Sequence, residues 1–160
     1  MRADLIIRDA EPKDTATVLR LIRALAEYEK LEHEVVATED LVREALFGTK
    51  PKAQGLICEI ADKPVGFAIW FYSFSTFLAR PGIYLEDLFV EPEARGQGVG
   101  AAVFRHLAKR AVAENCGRFE WAVLNWNEPA IKFYERMGSS PMTEWHVRRL
   151  SGESLKALAA

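Results

Sequence analysis

One stretch of the chain constrains the fold more than any other. An apolar run over Ile83–Val90 is followed by the loop Arg95-Gly96-Gln97-Gly98-Val99-Gly100, which opens into a helical pattern over Ala101–Cys116. The run predicts a buried strand and the pattern an amphipathic helix. Glycines let backbone N–H groups approach a ligand, and a helix N-terminus adds unpaired donors and positive dipole charge. The segment therefore predicts a strand, loop and helix whose loop binds an anion such as a phosphate.

Two carboxylates interrupt the apolar run, at Glu86 and Asp87. Charged side chains in a buried strand are costly unless they are paired, hydrogen-bonded or facing a cavity. Adjacent strand residues also project to opposite faces unless a bulge intervenes. At least one of the two is therefore predicted to line a site, and the alternative is a buried ion pair with one of the arginines.

The glycine loop has other interpretations. A purely structural glycine turn is one, since turns and helix caps use glycine routinely. The spacing Gly96-x-Gly98-x-x-Ala101 also satisfies the loose dinucleotide fingerprint. Against a dinucleotide, residues 91–95 separate the strand from the glycines, and the next strand ends at Leu124-Asn125 without an acidic residue for a ribose. A nucleotide P-loop is disfavoured because no Lys-Ser/Thr pair follows the glycines.

Composition limits the class of protein. The chain has 160 residues, 49% of them hydrophobic and 28% charged, which suits one globular domain over residues 1–160. A net charge of −2 gives no general attraction to nucleic acid or to an anionic membrane. No apolar run approaches a transmembrane span, and the N-terminus does not match a signal peptide. We expect a cytoplasmic protein with no nucleic-acid or membrane partner.

Neither the cysteines nor the histidines suggest a metal. Cys58 and Cys116 lie in apolar segments without CxxC spacing, which predicts buried thiols rather than metal ligands or a disulfide. The three histidines fall on separate predicted elements, so no metal site is expected.

Hydrophobic periodicity predicts a mixed sheet with helices on both sides, an α/β fold. Beside the strand, loop and helix above, strands are expected at 5–7, 55–61, 65–74, 118–124 and 145–150. Helices are expected around 18–26, from Thr38 to 47, at 128–137 after the cap Asn127, and at 153–159. Residues 75–82 are expected to form a loop.

The ordered motifs resemble those of the GNAT N-acetyltransferase superfamily, whose acetyl-CoA signature is met by Arg95-x-x-Gly98-x-Gly100. The resemblance extends from about residue 4 to the C-terminus. It is closest to the spermidine/spermine and thialysine N-acetyltransferase branch, through Tyr84–Val90, Trp126–Tyr134 and Leu25–Glu29. It implies a GNAT fold with a mixed, mostly antiparallel sheet of about seven strands flanked by helices. It also implies acetyl-CoA as cosubstrate, no metal, and a homodimer.

The resemblance assigns roles to individual residues. Tyr134 would be the general acid that protonates the leaving CoA thiolate, and Glu86 the general base, often through water. The amine site would be formed by Tyr28, Glu29, Glu86, Asp87 and Trp145. Acetyl-CoA would be held by Leu88, Phe89, Val90, Arg95, Gly96, Gln97, Gly98, Val99, Gly100, Ala101, Asn127 and Ala130.

The implied activity is acetyl transfer from acetyl-CoA to a primary amine of a small molecule: a diamine, a polyamine or a lysine-like amino acid. Residues 73–78 lack the acidic residue and the tryptophan typical of polyamine acetyltransferases, whereas Trp145-His146-Val147 looks more like the thialysine type. Two alternatives remain open from the sequence. One is a protein or peptide N-acetyltransferase, and the other is a non-catalytic acyl-CoA-binding regulatory domain.

Overall fold

The computed structural model describes residues 4–160, which form two compact units, one ending at Ala122 and the other spanning Val123–Ala160. The first unit contains β1 (Leu5–Asp9), α1 (Thr15–Glu29), α2 (Glu39–Phe47), β2 (Gln54–Ile60), β3 (Lys63–Ser75), β4 (Arg80–Val90), α3 (Val99–Ala113) and β5 (Phe119–Trp121). The second contains α4 (Glu128–Arg136) and α5 (Gly152–Ala159).

Strand order in the sheet follows chain order, β1-β2-β3-β4-β5. The first four strands pair antiparallel, and β5 joins β4 in parallel after the crossover through α3. The predicted mixed, mostly antiparallel α/β sheet is therefore confirmed. Five strands lie within residues 4–160, rather than about seven.

Short turns connect the central strands. Ala61 and Asp62 link β2 to β3, and their positive φ values of 48° and 60° suit a two-residue hairpin turn. The predicted loop over 75–82 is shorter than expected, because Ser75 pairs with Arg80 and only residues 76–79 form the turn. Pro81 lies inside β4, beside its first residue, where a proline is tolerated.

Helices cover both faces of the sheet. On one face, apolar residues of α1 and α2 form the core with Ile57, Phe67 and Phe89. Side chains alternate along a strand, so Trp70 lies on the opposite face from Phe67. There the guanidinium of Arg110 of α3 lies 5.1 Å from the Trp70 ring centroid. Helices α1, α2 and α3 therefore each bury one apolar stripe, as their periodicity predicts.

Pairing between β4 and β5 is brief. Only Ile83, Tyr84 and Leu85 face β5, so β5 is shorter than the predicted strand over 118–124. The pairing stops at the residue before a β-bulge in β4, where the register with β3 shifts between Ile69 and Trp70. Bulges bend a strand and increase its local twist, which accounts for the early end of the ladder.

In the second unit, α4 agrees with its prediction. The Asn127 side chain accepts a hydrogen bond from the Ala130 N–H (3.4 Å), Pro129 lies in the first turn, and Gly138 follows the helix at φ 86°. Helix α5 begins one residue earlier than expected.

The strand predicted at 145–150 is wrong. A strand needs a neighbour for its backbone groups, and these residues have no ladder partner in the described part of the chain. Trp145 is 75% and Val147 87% exposed, so no apolar face is buried to fix an extended conformation.

No helix formed by residues 4–160 combines the length and the apolar character needed to cross a membrane.

Candidate active site

The bulge in β4 is centred on Glu86. Leu85 pairs with Trp70 and Asp87 with Ile69, which leaves Glu86 as the extra residue without a partner in β3. Glu86 is exposed, whereas Asp87 is partly buried. A bulge interrupts the strict alternation of a strand and redirects side chains. The two adjacent carboxylates are therefore released from the requirement to point to opposite faces.

Beyond the bulge, β4 presents an open edge. Strand β5 pairs with one side of β4 at residues 83–85. Along residues 86–90, no strand within residues 4–160 pairs with that side. Backbone groups at such an edge can hydrogen-bond an extended ligand as a neighbouring strand would. Leu88, Phe89 and Val90 all lie on this segment, with the Phe89 side chain buried in the core.

Three carboxylates lie near one another at the bulge. Burial, followed by the charges of Glu86 and Glu29, raises the pKa of Asp87 to about 6. Burial also raises the pKa of Glu29, the last residue of α1. No Lys or Arg in residues 4–160 forms an ion pair with any of the three. The alternative of a buried ion pair is therefore wrong for the described chain, and the cluster is suited to a cationic ligand.

The glycine loop matches the predicted anion cradle in backbone geometry. Gly96 and Gly98 have φ values of 72° and 86°, and Gly98 is the N-cap of α3. A Cβ at either position would meet nothing within 4 Å, so the backbone conformation and not packing calls for glycine. The open space above both glycines is what a bound phosphate group needs.

Helix α3 begins at Val99, two residues before the predicted start at Ala101, because the Val99 side chain is 2% exposed and anchors the first turn in the core. Gly100 and Ala101 complete that turn. N–H groups in a first turn have no intrahelical acceptor, and they carry the positive end of the helix dipole. On the preceding loop, the Gln97 amide donates to the Glu93 carbonyl (2.8 Å). The residues present therefore fit a pyrophosphate.

Arg95 makes contacts that the sequence did not indicate. Its Nε donates to the Val90 carbonyl oxygen (2.9 Å), and its guanidinium carbon lies 4.8 Å from the Tyr28 ring centroid and 5.6 Å from that of Phe89. Arg20 of α1 also pairs with Glu91, the residue after β4. No spacing pattern along α1 indicates the Arg95–Tyr28 contact or the Arg20–Glu91 pair, because each joins segments about seventy residues apart in sequence.

The remaining predicted site residues belong to the second unit. Asn127 is 9% exposed and caps α4, and Ala130 and Tyr134 follow it at three- and four-residue spacing, which places all three on one side of that helix. The partly buried Tyr134 ring lies 5.4 Å from the Phe133 ring. Trp145 lies outside any helix or strand.

Metal ligation and disulfide chemistry find no support in residues 4–160. These residues contain no group of three His, Cys, Asp or Glu side chains arranged to hold a metal. Cys58 and Cys116 are both free, and burial raises the pKa of Cys58 to about 12. Cys58 is buried as predicted, whereas Cys116 is only partly so.

Comparison with known proteins gives consistent results. Residues 19–139 match the acetyltransferase (GNAT) family model. The chain is 39% identical to the thialysine N-epsilon-acetyltransferase of Sus scrofa, over 98% of both proteins. It is 30% identical to the L-ornithine N5-acetyltransferase of Arabidopsis thaliana, over 95% of this chain and 86% of that protein. In structure it resembles an integron cassette protein from V. cholerae, with a TM-score of 0.83 and 27% identity over 99% of both chains.

Proposed function

The chain belongs to the acetyltransferase (GNAT) family and is an N-acetyltransferase, and from this premise we propose a specific reaction. The enzyme transfers the acetyl group of acetyl-CoA to a primary amine of a small cationic molecule, by direct attack in a ternary complex. One observation carries the proposal: Glu86 and Asp87 at the β4 bulge form no ion pair with a Lys or Arg of residues 4–160, and they lie on the same strand as an open edge that leads into a glycine cradle.

The carboxylates support a cationic acceptor. Asp87 and Glu29 are partly buried, and Asp87 is close enough to Glu29 and Glu86 for their charges to raise its pKa. Like charges brought together in a half-buried site repel one another, and a bound ammonium group relieves that repulsion. A molecule with two cationic groups would gain most, which favours diamines, polyamines and lysine-like amino acids.

A base is required before the amine can react. A primary amine with a pKa of about 10.4 is mostly ammonium at neutral pH, and its nitrogen has no free electron pair until the proton leaves. Glu86 is the exposed carboxylate of the bulge and is proposed to take this proton, directly or through a water molecule. Asp87 is proposed to hold the ammonium beside it.

The cosubstrate side uses backbone groups. The open edge from Leu88 to Val90 would hydrogen-bond the extended pantetheine arm, and residues 95–101 would surround the pyrophosphate. Asn127 and Ala130 of α4 would contact the arm as well. In this assignment the glycine loop supplies N–H donors and no acid or base.

Transfer then requires stabilisation of two charges. The amine nitrogen forms a bond to the thioester carbon, and the carbonyl oxygen becomes an oxyanion, which a backbone N–H of the β4 edge can stabilise. Collapse of this intermediate breaks the carbon–sulfur bond. The Tyr134 hydroxyl is proposed to protonate the departing thiolate. The nitrogen loses its second proton as the amide forms, and this proton restores the Tyr134 hydroxyl through solvent, so that an N-acetyl amine and CoA are released.

The acceptor that we favour is a lysine-like amino acid. The relatives are named for thialysine and L-ornithine, both amino acids with a side-chain amine. Residues 73–78 contribute neither an acidic side chain nor a tryptophan, which weighs against a polyamine. We further propose that the enzyme acts as a cytoplasmic homodimer.

An acceptor screen tests the proposal. Release of free CoA thiol is measured with acetyl-CoA and thialysine, lysine, ornithine, putrescine, spermidine and a peptide with a free N-terminus, with an amine-free reaction as the control. We expect turnover with thialysine or ornithine and little with the peptide. The absence of turnover with every amine would contradict the proposal, and tight calorimetric binding of acetyl-CoA in that case would favour an acyl-CoA-binding regulatory domain.

A further inference from the structure

The Arg95 side chain connects three parts of the proposed active site. It belongs to the glycine loop, it donates to the carbonyl of Val90 at the end of β4, and its guanidinium lies over Tyr28 in the last turn of α1. The cation–π distance of 4.8 Å to the Tyr28 ring is well within the range of an attractive contact.

The last turn of α1 matters for the acceptor because it carries Glu29 directly after Tyr28. The Glu29 charge contributes to the raised pKa of Asp87, so the position of this turn sets the electrostatics at the bulge. Two turns earlier, Arg20 pairs with Glu91 and holds the middle of α1 to the segment after β4. Arg20 and Arg95 thus connect α1 to the segment after β4 at its middle and at its C-terminal end.

We propose that Arg95 is a positioning residue for the amine site: by stacking on Tyr28, it transmits occupancy of the glycine loop to the turn of α1 that carries Glu29. Binding of a pyrophosphate at Gly96 and Gly98 would fix the loop and with it the guanidinium. The ordered guanidinium would hold Tyr28 and Glu29 in the arrangement that accepts the ammonium group. Acetyl-CoA would therefore raise the affinity for the amine, and by linkage the amine would raise the affinity for acetyl-CoA. This inference rests on the proposed function.

The size of the effect follows from the exposure of the contact. Arg95 is exposed and Tyr28 is 37% exposed, and cation–π contacts at exposed sites correspond to about a two- to fivefold change in an equilibrium constant. Arg95→Gln can still donate to the Val90 carbonyl but carries no cation. Tyr28→Leu removes the ring. The pair of substitutions therefore isolates the stacking contact from the hydrogen bond.

A double-mutant cycle provides the first test. KM for the amine at saturating acetyl-CoA, kcat, and the calorimetric Kd for acetyl-CoA are measured for the wild type, Arg95→Gln, Tyr28→Leu and the double variant. Arg43→Gln removes an exposed cation on α2, outside the site, and serves as the charge control. We expect Arg95→Gln to raise the amine KM about two- to fivefold in the wild-type background and to have no further effect when Tyr28 is Leu. Additive effects on the amine KM would overturn the proposal.

Hydrogen exchange provides a readout that is independent of turnover. We expect acetyl-CoA to slow amide exchange across residues 24–31 in the wild type and in Arg43→Gln, and to slow it less in Arg95→Gln and Tyr28→Leu. Equal protection in all four proteins would overturn the proposal even if the enzyme is active. A wild type that binds acetyl-CoA and protects this turn, but acetylates no amine, would contradict the proposed function and leave the contact from loop to helix established.

Discussion

Glu86 is the unpaired residue of a β-bulge, and its neighbour Asp87 rejoins the ladder opposite Ile69. The two adjacent carboxylates nevertheless lie in different environments. Glu86 is exposed, whereas burial and neighbouring charges raise the pKa of Asp87 to about 6. Two carboxylates with different environments can take different tasks, and in the proposed mechanism one accepts a proton while the other holds a cation.

The raised pKa of Asp87 predicts how activity depends on pH. Because the carboxyl is protonated below about pH 6, it loses its attraction for an ammonium group there. We expect kcat/KM for the amine to fall on the acid side with a pKa near 6, and Asp87→Asn to lower kcat/KM by about tenfold at pH 7.5. Steady-state profiles from pH 5 to 8 measure both effects. A wild-type profile without an acid limb near pH 6 would contradict this role.

Asp87 should also lower the stability of the free enzyme. Its folded-state pKa of about 6 exceeds its ordinary value of 3.8, so the folded protein binds more protons than the unfolded chain between those values. Stability contributed by the site therefore decreases as pH rises through this window. We expect Asp87→Asn to raise the free energy of unfolding by about 1–2 kcal/mol at pH 7.5, allowing for solvent screening, and by less at pH 5. Urea denaturation at both pH values measures this, and equal gains would argue against titration of Asp87.

Removing the Tyr134 hydroxyl tests the general acid. Tyr134→Phe should lower kcat by roughly ten- to a thousandfold, because the CoA thiolate would leave without a proton donor. The Kd for acetyl-CoA should change little. Tyr72→Phe removes a hydroxyl that donates to Glu114 outside the proposed site and is the matched control. Wild-type kcat in Tyr134→Phe would exclude Tyr134 from the mechanism.

The glycine loop can be tested with two residues of the same backbone conformation. Gly98 and Gly138 both have φ 86°, and a Cβ at either would meet no atom within 4 Å. Alanine in this conformation costs about 1–2 kcal/mol. We expect Gly138→Ala to lose about this much stability in urea denaturation, and Gly98→Ala to lose less, because a loop that relaxes in the free protein escapes the strain. Only Gly98→Ala should weaken acetyl-CoA binding, by about five- to thirtyfold by calorimetry, as the loop relaxes from the bound geometry. Equal weakening in both variants would remove Gly98 from the cradle.

Local sequence patterns predicted the parts of the fold that depend on local physics. The glycines between an apolar run and a helical repeat predicted the turn before α3, and Asn127 predicted the cap of α4. The strand predicted at 145–150 does not form, because alternation indicates which face could be buried but does not supply a neighbouring strand. The sequence indicates only that a bulge would change the directions of Glu86 and Asp87. Which residue is the extra one depends on pairing across the sheet.

Tertiary contacts account for what the sequence missed in the site. The family resemblance places Arg95 in the loop around a pyrophosphate, and the structure adds that its side chain lies over Tyr28 of a distant helix. Arg20 and Glu91 likewise form an ion pair between segments that are far apart in sequence. Such pairs leave no periodic signal, because the position of each partner within its own segment does not depend on the other.

The order of strands in the sheet has a consequence for folding kinetics. Strands β2, β3 and β4 are joined by short turns and can pair by closing small loops, whereas β5 must wait until α3 has crossed the sheet. The glycine loop lies within this crossover and so belongs to a part of the chain that closes after the β2–β3–β4 turns. We therefore expect a ligand bound there to stabilise contacts that form after the transition state. We expect acetyl-CoA to slow unfolding in stopped-flow experiments while leaving the refolding rate unchanged, so that its binding sets the lifetime of the native enzyme.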